Sequence, residues 1–177
     1  MGQQAKERWL RYRESATSVD TTVDARDRRI LAALQLDGRL RDRDLSRAVG
    51  LSQAGLRQRV RRLERDGLVR GYRADIAPEA LGVGLQAFVA AGLTTQKAEC
   101  VEAFERAVRR LHAVRSCHRV TGRFDFILRI AGRDAEHVGR LVTVDLAALP
   151  GLARLETLVV ASELKPDRGW PVQAEGD

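Results

Sequence analysis

Aromatic residues are scarce in this chain: two Trp, two Tyr and four Phe among 177 residues. Proteins that hold single-stranded nucleic acid stack bases on aromatic side chains, so the shortage argues against that class. Cysteine is scarcer still. Cys100 and Cys117 are too few and too far apart for a metal ribbon or a CxxC redox site, and read as free buried thiols. His112, His118 and His137 show no HExxH or HxH spacing, and neither a Gly-rich phosphate loop nor a GxSxG elbow occurs. The sequence therefore calls for no metal and no cofactor. No apolar run approaches the roughly 20 residues of a membrane helix. The N-terminus has no apolar signal core, since Trp9 and Leu10 lie among Lys6, Arg8, Arg11 and Arg13. A cytoplasmic protein with no membrane partner is expected.

What the chain has in surplus is positive charge, and all of it lies in one half. Residues 1–75 carry 18 Lys/Arg against 11 Asp/Glu, whereas residues 76–177 carry 13 of each, which confines the net +7 to the first half. Arg57, Arg59, Arg61, Arg62, Arg65, Arg70 and Arg73 crowd one stretch opposed only by Glu64 and Asp66. Such a patch attracts a phosphate backbone, because each neutralised phosphate releases counterions. The length fits one large domain or two small ones. A basic module joined to a neutral one points to a nucleic-acid reader coupled to something else.

Residues 1–23 lack sustained periodicity and read as a flexible basic tail, with an arm touching DNA phosphates as the alternative. From Asp24 the pattern is helical. Asp24 is a capping residue, Ile30, Leu31 and Leu34 mark one face, and Asp37-Gly38 ends the helix. A second helix is predicted over Asp42 to Val49, with Leu45, Ala48 and Val49 inward. Gly50 suits the tight turn that follows. Ser52 caps a third helix, in which Leu56, Val60 and Leu63 repeat on the core face until Asp66-Gly67. Three short helices with a Gly-containing turn make a helix-turn-helix, whose third helix enters the major groove. Gln53, Ala54, Arg57, Gln58 and Arg61 then face the groove, where Arg and Gln contact guanine and adenine edges. Ser52 with the helix N-terminus is placed to hold a phosphate. Arg62, Arg70 and Arg73 are expected on the DNA backbone, and Arg59 and Arg65 as structural or merely exposed.

Leu68 to Asp75 is predicted as a strand leaving this unit (24–75), and residues 76–84 as a linker rich in Pro and Gly. Residues 85–165 change periodicity. Strands are predicted at Gln86–Leu93, Val114–Thr121, Phe124–Ala131 and Leu155–Ser162, and helices at Ala98–Leu111 and Asp134–Leu149. Gly122-Arg123 joins the middle strands as a hairpin-like turn. The β-α-β-β-α-β order is the ferredoxin-like arrangement, an antiparallel sheet with both helices on one face. The first and last strands are apolar on both faces, so the uncovered face is expected to pack on a second copy. Residues 166–177 read as a C-terminal tail. The fold class expected is α+β: a winged-type helix-turn-helix, a hinge strand and a ferredoxin-like βαββαβ domain.

Five stretches, DRRILAALQL, DGRLRDRDLSRAVGLS, RVRRLERDGLVRGYRADI, SCHRVTGRFDFIL, and LPGL followed by ETLVVASELK, make residues 24–166 resemble the Lrp/AsnC (feast/famine) family of transcription regulators. The resemblance implies a sequence-specific regulator of double-stranded DNA with a pseudo-palindromic operator. It also implies a homodimer that assembles into a higher oligomer and an amino acid or related metabolite as effector. In the family the effector lies near the turn between the second and third strands. That assigns Thr121, Gly122, Arg123 and Asp125 to it, with Leu158, Val159 and Val160 influencing the response. Asp125 is expected to pair with a ligand ammonium. Arg123 stands where the family often has an acidic or small residue, and an added cation there favours a second carboxylate or a keto acid. Two alternatives remain at this point. One is a siroheme decarboxylase-like enzyme of the same layout, for which His118 and Arg119 lie in the right region. The other is an architectural, nucleoid-associated DNA binder.

Overall fold

The computed structural model describes residues 23–167 and 169–172. The expected basic tail, apart from Val23, lies outside the described residues. The described residues divide into two compact units, one of residues 76–164 and one of those up to Asp75 together with those from Lys165.

In the first unit, α1 (Ala25–Leu36) opens on a reciprocal cap. The Asp24 carboxylate accepts from the Asp27 backbone N–H at 2.8 Å, and the Asp27 carboxylate accepts from the Asp24 N–H at 3.2 Å. Helix α2 (Asp42–Val49) ends at Gly50, whose φ of +66° is the left-handed conformation that lets the chain turn at once into α3 (Gln53–Arg65). The Ser52 hydroxyl caps α3 by accepting from the Gly55 N–H at 3.1 Å. Ile30, Leu45, Val49, Leu56 and Leu63 form the core, with Leu31, Leu34, Val60 and Leu68 packed around it. Ala48, expected inward, is exposed, and Ser46 is buried instead. Its hydroxyl donates to the Arg43 carbonyl at 2.9 Å, so burial leaves it satisfied.

Leu68–Asp75 forms no strand, which corrects the expected hinge strand. A strand requires a laterally bonded partner. Here the Val69 N–H is spent on the Leu63 carbonyl, closing the end of α3. Within the expected C-terminal tail, Trp170 is bonded to α1. The Gln35 side-chain amide donates to the Trp170 carbonyl at 2.9 Å and accepts from the Trp170 N–H at 2.6 Å.

The second unit begins with a 3-10 turn, Pro78–Leu81, inside the expected linker. It continues as β1 (Leu85–Leu93), α4 (Ala98–Val108), β2 (Val114–Arg119), β3 (Phe126–Gly132), α5 (Ala135–Arg140) and β4 (Leu152–Val159). The strands form one antiparallel sheet in the order β2-β3-β1-β4, the ferredoxin-like topology. Alternate residues Ala87, Val89 and Ala91 of β1 and Phe126, Leu128 and Ile130 of β3 point into the core beneath Val101, Phe104, Val108 and Val138. The expected single helix over Asp134–Leu149 changes form midway, becoming a π-helix over Leu141–Leu146. The Thr143 hydroxyl donates to the Gly139 carbonyl at 2.9 Å, and Ala147 N–H reaches back to Val142. A side-chain bond of this kind competes with the i to i−4 ladder, in keeping with the widened turn. Both cysteines are free, as expected, but Cys117 is exposed and Cys100 half-buried. No helix among the described residues is long and apolar enough to cross a membrane.

Candidate functional site

Helix α3 presents two rows of cations with different partners. Burial of Leu56 and Leu63 turns Gln53, Ala54, Arg57, Gln58 and Arg61 to the outside, and all five are exposed. Arg65 continues this row, lining one shallow cleft with Ala54, Arg57, Gln58 and Arg61. Arg57 approaches Asp42 at 3.8 Å, an exposed pair that competes weakly with a phosphate. Arg65 pairs with its neighbour Asp66 at 3.3 Å and is largely exposed. Among the described residues Arg61 has no carboxylate partner. Ser52 uses its hydroxyl for the cap described above.

The second row is committed to the protein. Asp27 is fully buried, at 0% exposure. Its Oδ1 accepts from Arg59 Nη1 at 2.9 Å and its Oδ2 accepts from Arg62 Nη2. Arg59 Nη1 also donates to Asp24 Oδ2 at 2.5 Å. Arg62 was expected on the DNA backbone; the structure instead turns it toward α1, because a carboxylate buried there needs cationic partners. Arg59 is structural, one of the two roles anticipated for it.

This cluster shifts the groups around it. The Asp24 carboxyl is held down at about 2 from its ordinary 3.8, first by the Asp27 backbone N–H and then by the Arg59 guanidinium. The Arg59 guanidinium is pushed up by its bonds to Asp24 and then Asp27.

Arg70 and Arg73 are exposed and have no carboxylate partner among the described residues. Tyr72 between them donates its hydroxyl to Glu64 at 2.9 Å, tying their segment back to α3. That hydroxyl is pushed up to about 12 by burial and then by Glu64.

In the second unit the turn between β2 and β3 is closed by the Val120 N–H donating to the Asp125 carbonyl at 2.9 Å. Thr121, Gly122 and Arg123 are exposed at its tip, with Gly122 at φ +137°. Asp125 is engaged inside the unit. Its Oδ2 accepts from the Leu93 N–H at 2.8 Å and its Oδ1 from Gln96 Nε2 at 2.6 Å. A ligand ammonium would add to these bonds, since a carboxylate offers about four acceptor sites. Arg123 pairs with Glu156 at 3.3 Å. Leu158 and Val160 lie on the sheet face away from the helices, opposite Phe88 and Gln86. Val159 is level with Ala87 and so lies on the other face. The last-strand trio is thereby split across the sheet. Sequence reading missed Arg154, which lies beside this turn; its neighbours come from two segments distant in the chain, around Phe124 and Gly92, so no local pattern marks it.

Comparison with known proteins matches residues 23–70 to a winged helix-turn-helix DNA-binding family and residues 86–170 to the Lrp/AsnC ligand binding domain. The leucine-responsive regulatory protein of Escherichia coli (strain K12) is 39% identical over 143 residues, 81% of this chain and 87% of that one. A transcriptional regulator of Neisseria meningitidis, solved as a complex with L-Met, is 33% identical with a TM-score of 0.80 over 85% of this chain and 97% of its own. The leucine response regulatory protein of Mycobacterium tuberculosis is 27% identical with a TM-score of 0.72, covering 85% and 99% of the two chains.

Two predictions follow from the buried cluster. Asp27→Ala leaves two arginines without their shared buried acceptor and should cost the first unit about 3–5 kcal/mol. Denaturant unfolding followed by circular dichroism measures this, and an unshifted midpoint would show that the cluster holds nothing. Because the Asp24 pKa is lowered on folding, its contribution is complete above its ordinary 3.8 and drains away as the pH falls through about 2. Stability of Asp24→Asn should therefore fall less steeply than that of the parent between those two values.

Proposed function

We propose that this chain, which belongs to the Lrp/AsnC family of transcription regulators, reads duplex DNA through the outer row of α3. Its binding then changes when an amino acid or related metabolite occupies the β2–β3 turn. The observation that carries the DNA half is the division of the arginines. Arg59 and Arg62 are neutralised by Asp24 and Asp27, while Arg57, Arg61 and Arg65 stay exposed beside Gln53 and Gln58. Arg57 and Arg61 with the two glutamines are assigned to base edges, and Arg65, Arg70 and Arg73 to phosphates. Ser52 and Ala54, at the start of α3, are assigned to the groove entrance. Arg62 is withdrawn from the set.

The ligand half rests on the family's ligand-binding domain and on the L-Met complex of the Neisseria relative, which supports an amino-acid class. Thr121, Gly122, Arg123 and Asp125 are the proposed contacts, with Leu158, Val159 and Val160 transmitting the response. A homodimer is part of the proposal. Phe88, 41% exposed, and its cross-strand partner Leu158, 53% exposed, leave apolar surface on the sheet face that no helix covers. Two copies joined there would carry two α3 helices to a pseudo-palindromic operator, and further association would build the higher oligomer. The protein acts in the cytoplasm on the nucleoid, as a regulator rather than an enzyme. Ligand and DNA are linked because the effector favours one assembly whose DNA affinity differs.

Fluorescence anisotropy at fixed salt tests the DNA half, using the duplex upstream of the protein's own gene against a shuffled duplex. The parent should prefer its own upstream DNA. Arg61→Ala should lose about 1–3 kcal/mol on the preferred duplex alone, whereas Arg70→Ala should weaken both alike and flatten the salt slope by about 1. Equal, salt-sensitive binding of the parent to both duplexes would replace this reading with an architectural binder.

A further inference from the structure

Arg154 of β4 is a charged side chain held in place without a charged partner among the described residues. Its guanidinium lies over the Phe124 ring, 4.8 Å from the centroid, and donates from Nη2 to the Arg123 carbonyl. It crosses the sheet above Gly92, its register partner on β1. A Cβ at Gly92 would stand 2.8 Å from Arg154 Nε and 3.0 Å from Cγ, so a larger residue there would push the side chain from this position. Two segments, Arg123–Phe124 and β1 at Gly92, thus hold one guanidinium beside the β2–β3 turn.

The neighbouring cation differs in one respect. Arg123 also stacks on Phe124, at 5.1 Å, but its charge is met by Glu156 at 3.3 Å. Asp125 is engaged with Leu93 and Gln96. Among the described residues no carboxylate comes within ion-pair distance of Arg154. Ordering a long side chain costs rotamer freedom. An arginine has five N–H donors, and one bond to a carbonyl leaves most of them available. A guanidinium fixed by stacking and by a backbone carbonyl is pre-organised for a planar, two-oxygen anion.

We propose that the effector of this protein carries a second carboxylate, on its side chain, and that Arg154 receives it. The inference rests on the turn being the effector site, as proposed above. It moves the selecting charge from Arg123, where sequence reading had put it, to Arg154. The ligand class is a short dicarboxylic amino acid or the corresponding keto acid. Both offer the same side-chain group to Arg154 and differ only at the α carbon.

Calorimetric titration of the full chain with L-glutamate, L-glutamine, 2-oxoglutarate, L-leucine and L-methionine tests this. Glutamate and glutamine differ by the one carboxylate at issue. The parent should bind glutamate or 2-oxoglutarate roughly tenfold or more tightly than glutamine, the preference a charge-assisted bond confers. The better of the two identifies the group at the α carbon. Arg154→Gln should reduce the glutamate-to-glutamine ratio to about one. Should Gly92→Ala fold, it should lower the same ratio, because the added methyl displaces the guanidinium; if it does not fold, Arg154→Gln decides alone. A parent that binds leucine or methionine but shows no preference for the acids overturns the Arg154 assignment and leaves the effector turn standing. A preference that survives in Arg154→Gln overturns it too. Absence of binding by all five compounds removes both the assignment and the reading of the turn on which it rests.

Discussion

A single buried carboxylate, Asp27, decides what the DNA-binding unit can present. It sits on the first turn of α1 with no exposure to solvent and accepts from two arginines of α3 while sharing a cap with Asp24. An isolated buried carboxylate is costly, and loss of either partner would leave that cost uncompensated. The two helices are therefore tied in register as well as packed through Ile30, Leu56 and Leu63. With Arg59 and Arg62 drawn inward, the outer face is left to Arg57, Arg61, Arg65 and the two glutamines. A helix that turned on its axis would lose the ion cluster and the core face together.

The second unit meets a different constraint. Its helices cover one face of a four-stranded sheet, and β1 is apolar on both. The uncovered face has Phe88 beside Leu158, which is why assembly belongs to the proposed function. The β2–β3 turn is built at one end of this sheet and held by Asp125 reaching back to Leu93 and Gln96. Arg154 and Arg123 bracket Phe124 at the same end. Asp125 shapes this turn, while Arg154 is left with bonding capacity beside it.

Much of this was legible in the sequence because it is local. Caps at Asp24 and Ser52, the glycine at 50 and the i, i+4, i+7 spacing of Leu56, Val60 and Leu63 placed the three helices and their core face. The β-α-β-β-α-β order came from changes of period. What escaped depends on residues far apart in the chain. Arg62 looks like any surface arginine until Asp27, 35 positions earlier, is seen beneath it. Asp125 reads as a turn residue or a ligand contact, and its bonds to Leu93 and Gln96, about 30 positions earlier, show only in the fold. Arg154 needs the missing side chain of Gly92 and the ring of Phe124. The π-turn after Arg140 arises where a threonine hydroxyl competes with the backbone, and apolar periodicity is blind to that. Ser46 and Ala48 exchanged places because a hydroxyl bonded to its own helix can be buried.

The claim that α3 carries an inner, committed row and an outer, reading row is tested most directly by arginine side-chain NMR. Guanidinium Nε–H signals of the labelled protein would be followed as duplex DNA is added. The account predicts that Arg57, Arg61 and Arg65 shift on binding while Arg59 and Arg62, held by Asp24 and Asp27, keep their positions. Shifts at Arg62 as large as those at Arg61 would contradict it, because the buried carboxylate would then not be what fixes that side chain.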